Sequence, residues 1–376
     1  MKWKIPLFEA DIGEEEISSV LEVLKSGWLT MGEKTAKFEE IFGDFIGVKY
    51  AIAVNSGTAA LHLALLALGI GPGDDVICPS LTFVATSNSI KYAWANVIFA
   101  DVTNLDDWNI GVDSISAVKT AKTRAVIVVH YGGYPCDMEA ICEYAKRNGL
   151  AVIEDCAHAP GGAIGGRRVG AWGDVGCFSF FSNKNLSTGE GGMLTTNNEG
   201  LKNKLRSMRS HGMTTLTLDR FKGHSFDYDV TNLGYNYRMT EISAALGLAQ
   251  FAKLTEKNSS RRKLVKKYQE LLINEEKIGI PFIDYRGEST SHIFPILIPE
   301  GIDRGVIMNR LKEAGIQTSI HYRPIHIFSY YADMIHGDLS KTEVIGRRTI
   351  TLPLFPSMSG EQVKYVAESV LRVAGG

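Results

Sequence analysis

The most constraining feature of this sequence is an alternation. Between about residues 50 and 200, short β-rich apolar runs take turns with helical patterns. Tyr50–Val54, Asp75–Cys78, Asn96–Ala100, Arg124–His130 and Ala151–Glu154 read as strands. Ala59–Leu68, Phe83–Tyr92, Val112–Thr120 and Asp137–Arg147 read as the helices between them. Such alternation predicts an α/β domain with a mostly parallel sheet and helices on both faces. Sheets of this kind bind ligands at the carboxyl ends of their strands, so the residues just after each strand are the candidates for chemistry.

From Val175 the pattern changes. Gly176–Phe181 and Met193–Thr196 flank a polar loop, and a helical stretch runs from Met239 to Leu272. The tail reads as a strand (Ile293–Ile298), a helix (Asp303–Ala314), a strand near Ile316–Ile320 and a last helix (Gly360–Ala374). This predicts a large domain over residues 1–254, including the N-terminal segment, and a small α+β domain over residues 255–376.

Charge narrows the partners. The chain carries 40 Lys and Arg against 42 Asp and Glu, a net charge of −2. A nucleic-acid binder shows a basic stripe, whereas the basic runs here, Arg261–Lys263 and Lys266–Lys267, are interrupted by Leu264 and Val265. That is the solvated face of an amphipathic helix, so no nucleic-acid partner is expected. No apolar run approaches the roughly 18 residues that span a bilayer, so no membrane partner is expected either. The first residues show no apolar signal core, which points to the cytoplasm. The five cysteines form no CxxC pair, and no metal site is expected.

Three strand ends stand out. Ser56-Gly57-Thr58-Ala59-Ala60 lies between a strand and a helix. Its small residues let a backbone approach an anion, and the helix terminus offers free N–H groups; an ordinary N-cap has the same composition. The Ala151 strand ends in Glu154 and Asp155, which suit a metal, a ribose, a cationic heterocycle or a plain helix cap. Lys184 follows Phe178, Phe180 and Phe181 and precedes the glycine-rich Gly189–Gly192, an unusual setting for a surface lysine. A desolvated lysine has a lowered pKa and can form a Schiff base. A phosphate cradle, an acid on a strand end and a lysine 29 residues later together meet the needs of pyridoxal phosphate, which offers a phosphate, a pyridine nitrogen and an aldehyde.

At these residues the sequence resembles the DegT/StrS-type (DegT/DnrJ/StrS) sugar aminotransferases, a branch of the fold-type I pyridoxal phosphate enzymes. The matching segments, in order, are Asn55–Leu61, Ser80–Thr86, His130–Pro135, Glu154–Ala159, Phe178–Lys184, Gly189–Gly192 and Gly234–Met239, with Gly315–Tyr322 further on. The resemblance covers nearly the full chain. It implies an aspartate-aminotransferase-like fold: a three-layer αβα domain on a mostly parallel seven-stranded sheet, with the small C-terminal domain beside it.

The resemblance also implies roles. Lys184 stands where the family has its Schiff-base lysine, and Asp155 where its carboxylate pairs with the pyridine nitrogen. Gly57, Thr58 and Ala59 match the phosphate-binding turn, and Ser179 matches a hydroxyl that also reaches the phosphate. Phe83 matches an aromatic stacked on the coenzyme ring, and His158 a position held by His or Gln near that ring. Asn236 matches a residue sent to the neighbouring subunit's phosphate, which implies a homodimer with shared active sites. His321, Tyr322 and Arg323 lie in a segment similar to the family's substrate side, and Arg220, Lys222 and His326 are further candidates to meet a diphosphate. The implied reaction moves an amino group from an amino acid, with L-glutamate expected, by way of the pyridoxamine phosphate form, to a nucleotide-linked keto-sugar of the 4-keto-6-deoxy or 3-keto type. Amino-sugar, surface-polysaccharide or secondary-metabolite biosynthesis is the implied setting. Relatives with His at the lysine position are sugar dehydratases, and a regulatory protein that binds the coenzyme without turnover is the other alternative; Lys184 favours amino transfer.

Overall fold

The computed structural model describes residues 3–214, 227–275 and 277–374. Two helices, α1 (Glu14–Ser26) and α2 (Glu33–Ile46), precede the alternating region. There the chain runs β1 (Tyr50–Val54), α3 (Gly57–Ala67), β2 (Asp75–Pro79), α4 (Ala85–Tyr92), β3 (Asn96–Ala100), α5 (Val112–Val118), β4 (Thr123–Val129), α6 (Met138–Asn148) and β5 (Ala151–Asp155). A two-residue ribbon, β6 (Ala163–Ile164) and β7 (Arg167–Arg168), leads to β8 (Val175–Ser179), β9 (Gly192–Thr196) and α7 (Glu199–Arg209). Seven strands form one sheet in the order β1-β9-β8-β5-β4-β2-β3. Among them β9 alone runs against its neighbours.

Both faces of this sheet are covered, so its strands are apolar almost throughout. Successive side chains go to opposite faces. Val76, Cys78, Ile127 and Ile153 meet α3 on one side, packing with Leu61, Ala64 and Leu65. Ile77, Val126, Val128 and Val152 meet Ile115 of α5 and Ile141 and Ala145 of α6 on the other. Nearly every side chain of α3 is buried, which is why its sequence shows no polar stripe.

The long helix α8 (Glu241–Leu272) passes without a break through residues 254 and 255. Its first part packs on α1 and α2. Its last turns join a second core with β10 (Phe294–Leu297), α9 (Arg304–Glu313) and, after α10 (Ser340–Arg348), whose Ile345 packs in a separate cluster, β11 (Thr349–Leu352) and α11 (Gly360–Ala374). Leu264, Tyr268, Phe294, Ile296, Ile350, Leu352, Val363 and Val366 form that core, and Ile5 is buried with them. The strand expected near Ile316–Ile320 is absent. Ile316 bridges Ile5 on one side and Ser319 bridges Thr351 on the other, so the segment never gains a ladder with one partner.

The two carboxylates at the end of β5 part company, as strand alternation requires. Glu154 is fully buried and leaves the site. Its carboxylate accepts the N–H groups of Gly170, Trp172 and Gly173, each at 2.8 Å, and lies 3.3 Å from His130 Nε2. His130 Nδ1 accepts the Cys136 N–H, so Nε2 carries the proton and donates to Glu154. Cys156 joins this buried cluster of potential metal ligands, yet the Glu154 oxygens are already committed to these donors. The cluster braces β4, β5 and the loop before β8. Glu154→Gln removes one of the two acceptor oxygens and strands buried donors, so urea denaturation should show a loss of about 2–4 kcal/mol.

Candidate active site

The ends of β1, β2, β5 and β8 open onto one cavity of about 390 Å³. Its walls carry Gly57, Thr58, Phe83, Asp155, His158, Ser179, Lys184, His321 and Tyr322. Nine of the residues singled out from the sequence are thus brought together, from five separate segments of the chain.

The floor begins at α3. Ser56 is its N-cap in extended backbone, and its Oγ accepts the Ala59 N–H at 3.1 Å. The Gly57 and Thr58 N–H groups, at the first two helical positions, have no acceptor within the helix. They face the cavity with the positive end of the helix dipole behind them. Ala59 itself is buried outside the cavity wall, with its N–H taken by Ser56. Gly57 must be glycine on steric grounds: a Cβ there would sit 2.7 Å from Ser179 Cβ. That contact sets the Ser179 hydroxyl beside the open N–H groups.

Asp155 is buried. One of its oxygens accepts the Thr86 hydroxyl at 2.8 Å and the other the Ala157 N–H at 3.2 Å. Burial pushes its pKa up, against the pull of these donors and of Lys184. Lys184 is delivered by a tight loop after β8. Its own N–H donates to Phe181 O at 2.8 Å, and the next residue, Asn185, is pinned by bonds to Asn258 Oδ1, Thr290 O and His292 Nδ1. Removal from water lowers the Lys184 amine to about 8, and Asp155 partly opposes that fall.

His158 receives the Gly132 N–H on Nδ1, and its Nε2 lies 2.8 Å from Tyr322 Oη. His321 Nδ1 lies 2.9 Å from Thr351 Oγ1. Burial and the nearby Lys184 drive the His321 pKa down to about 4, so this ring is neutral at physiological pH. Phe83 stands just before α4, which begins at Ala85 and not at Phe83 as the sequence suggested, with 57% of its surface exposed and its ring centroid 6.1 Å from that of Tyr322.

Three candidates lie elsewhere. Asn236 is exposed and does not line the cavity; its carbonyl accepts Asn55 Nδ2 at 3.3 Å. Arg323 packs over Phe328 in a neighbouring cleft whose walls include Thr82, Phe83, Tyr322 and Tyr330. His326 is buried, with Nδ1 2.7 Å from Ser80 Oγ, so it does not face a diphosphate. Arg220 and Lys222 lie outside the described residues. The sequence reading missed Thr86 as the partner of Asp155 and Asn185 as the anchor of the lysine loop; both stand within or beside quoted motifs, where position after a strand was the available signal. Cys156 and Cys177 are buried, and burial pushes both thiols well above their usual range, so neither is a nucleophile.

Fold and cavity define an α/β protein with a desolvated lysine and a buried acid at the strand ends, facing an open helix terminus. Residues 10–371 match the DegT/DnrJ/EryC1/StrS aminotransferase family, and the chain belongs to that family. It is 40% identical over 384 residues to the spore coat polysaccharide biosynthesis protein SpsC of Bacillus subtilis, covering 100% of this chain and 97% of that one. Its fold superposes with a TM-score of 0.92 and 29% identity on Helicobacter pylori PseC, an aminotransferase involved in pseudoaminic acid biosynthesis, over 99% of both chains. A putative sugar aminotransferase from Streptococcus pneumoniae, solved in its PMP-form, matches equally, at 0.92, 29% and 99% of both chains. Among the described residues no helix is long and apolar enough to cross a membrane.

The lowered Lys184 pKa has a direct consequence in the coenzyme-free chain. Carbamylation of residue 184, followed by peptide mass spectrometry across pH, should titrate near 8, while surface lysines titrate near 10.4. Asp155 favours the ammonium, so Asp155→Asn should move the Lys184 midpoint lower still.

Proposed function

We propose that this chain is a pyridoxal-phosphate-dependent aminotransferase that transfers an amino group from an amino acid, L-glutamate foremost, to the keto group of a nucleotide-activated sugar. One observation carries the reading: Lys184 and Asp155 share a cavity with the open N-terminus of α3. The residues fit the coenzyme. Gly57 and Thr58 N–H groups and the Ser179 hydroxyl form a cradle for a phosphate, a buried carboxylate suits a pyridinium, and a desolvated amine suits an aldehyde. When bound, the coenzyme supplies that aldehyde and a ring that accepts the electron pair freed at the substrate's α-carbon.

The chain's own groups do the rest. Asp155, its other contacts fixed by Thr86 and Ala157, holds a proton at the ring nitrogen. The Lys184 amine would take the proton from the donor's α-carbon and give it back on the far side of the intervening nitrogen, two bonds away, as a general acid–base group. Phe83 and His158 offer ring faces for the coenzyme. The adjoining cleft with Arg323, Phe328 and Tyr330 offers a cation and aromatic walls to the nucleotide part of the acceptor. The names of SpsC and PseC, one in polysaccharide and one in pseudoaminic acid biosynthesis, support a sugar as acceptor.

The same reading makes the molecule a homodimer. Ile17, Leu21 and Leu24 lie at i, i+4 and i+7 on α1 and are about half exposed, an apolar stripe of the kind that meets another chain. Asn236, exposed and outside its own cavity, would then serve a partner's phosphate.

Two measurements test this. Borohydride reduction of coenzyme-loaded protein should fix the coenzyme at residue 184, and labelling at another lysine would overturn the assignment. Glutamate with a panel of nucleotide-linked keto-sugars should yield 2-oxoglutarate and an amino-sugar, with Lys184→Ala slower by about 10²–10⁴-fold. Release of ammonia without an amino-sugar would overturn the transferase.

A further inference from the structure

The turn that ends β4 runs through Gly132 (φ 61°) and Gly133 (φ 89°), both in the left-handed region. A Cβ on Gly133 would lie 2.9 Å from the His158 carbonyl oxygen, so the turn presses directly on the segment after β5. Thr290 Oγ1 holds that same carbonyl at 2.7 Å. The arrangement aims the Gly132 N–H at His158 Nδ1, 3.3 Å away. A backbone N–H can only donate. Nδ1 therefore accepts, and in a neutral ring the proton sits on Nε2. Burial and the neighbouring Lys184 hold the His158 pKa well below its ordinary value, so the ring is neutral.

The polarity then passes outward. His158 Nε2–H donates to Tyr322 Oη across 2.8 Å. Tyr322 has used one lone pair as an acceptor, and its own proton must point away from the histidine. Among the described residues no protein acceptor stands on that other side, and Tyr322 lines the cavity with Lys184. The tyrosine is held from behind as well. Tyr131 donates its hydroxyl proton to the His321 carbonyl, and the Tyr322 ring lies nearly parallel to His158, at 21° and 5.9 Å.

We propose that His158 is a positioning residue that fixes the direction of the Tyr322 hydroxyl, and that Tyr322 donates a hydrogen bond to a substrate oxygen beside the carbon that gains or loses the amino group. The oxygen belongs to the donor's carboxylate or to a carbonyl or hydroxyl group of the acceptor. The substrate part rests on the aminotransferase reading; the polarity of the His158–Tyr322 pair does not.

Nitrogen NMR of histidine-labelled protein, free of coenzyme, reads the polarity by itself. His158 should appear neutral with a bare Nδ1 and a protonated Nε2 from pH 6 to 8; the opposite tautomer or an imidazolium would overturn the proposal. Single-turnover half-reactions read the rest. Tyr322→Phe should slow the glutamate half-reaction, the keto-sugar half-reaction or both by about 10- to 100-fold, and the half-reaction affected identifies the oxygen. His158→Met should match Tyr322→Phe, and His158→Gln, which keeps a donor for Tyr322 Oη, should recover part of that loss. The double variant His158→Met/Tyr322→Phe should be no slower than either single variant, the sign that one acts through the other. Additive losses, or a Tyr322→Phe protein unchanged in both half-reactions, would overturn it. A parent protein inert toward glutamate would instead defeat the aminotransferase reading, leaving the tautomer to decide the polarity.

Discussion

An ammonium and a carboxylate share one cavity without touching, and much of this structure exists to keep them so. Burial pushes Lys184 down and Asp155 up, each toward its neutral form, and each charge opposes the other's shift. A direct contact would recover much of that cost, since unit charges about 4 Å apart at an effective dielectric near 20 attract by roughly 4 kcal/mol. No such ion pair forms between them. Asp155 is fixed in a central strand and spends its oxygens on Thr86 and Ala157. Lys184 hangs from a loop whose next residue, Asn185, is bound on three sides. On the proposed reading, the gap is the space for a molecule that is cationic at one end and electrophilic at the other.

The scaffold around this gap is rigid because neighbouring residues have divided labour. Glu154 and Asp155 are adjacent acids with opposite fates: one braces the sheet's connections and the other faces the cavity. Gly57 gives up a side chain so that β1's helix can lie against Ser179. Ser56 caps α3 by taking the Ala59 N–H, and by doing so leaves the two preceding N–H groups for a ligand. Each of these choices is local, yet each is useful only because a parallel sheet brings distant strand ends to one edge.

That division explains what the sequence disclosed. The strands were legible because a sheet buried on both faces writes continuous apolar runs, and the residues after them were legible because chemistry needs Lys184 and Asp155 together. Ala59 was assigned to the cradle, although its N–H is spent on the cap, because capping and anion binding draw on the same residue types. Tyr322 entered only through resemblance. Its meeting with His158 depends on how the C-terminal core packs against the sheet, and no local pattern records a contact between residues so far apart. The strand expected at Ile316–Ile320 failed for the same reason: its β-rich composition was read correctly, but its partners lie on two different segments. His326, a candidate to meet a diphosphate, is instead a buried partner of Ser80.

The energetic purpose of burying the lysine can be put in numbers. At pH 7 an amine with a pKa of about 8 is roughly one-tenth unprotonated, whereas one at its ordinary value near 10.4 is unprotonated in fewer than about one molecule in a thousand. Desolvation thus raises the supply of free amine at pH 7 by about two orders of magnitude. Carried much further, it would also weaken the amine as a base, because a lower pKa means a poorer proton acceptor. Asp155 sets the compromise: its charge holds the Lys184 pKa above the value burial alone would give, while the same charge stands ready for a cation on the far side of the cavity. On the proposed reading one carboxylate therefore tunes the base and receives the ligand, and the separation the fold keeps between the two groups is what lets it do both.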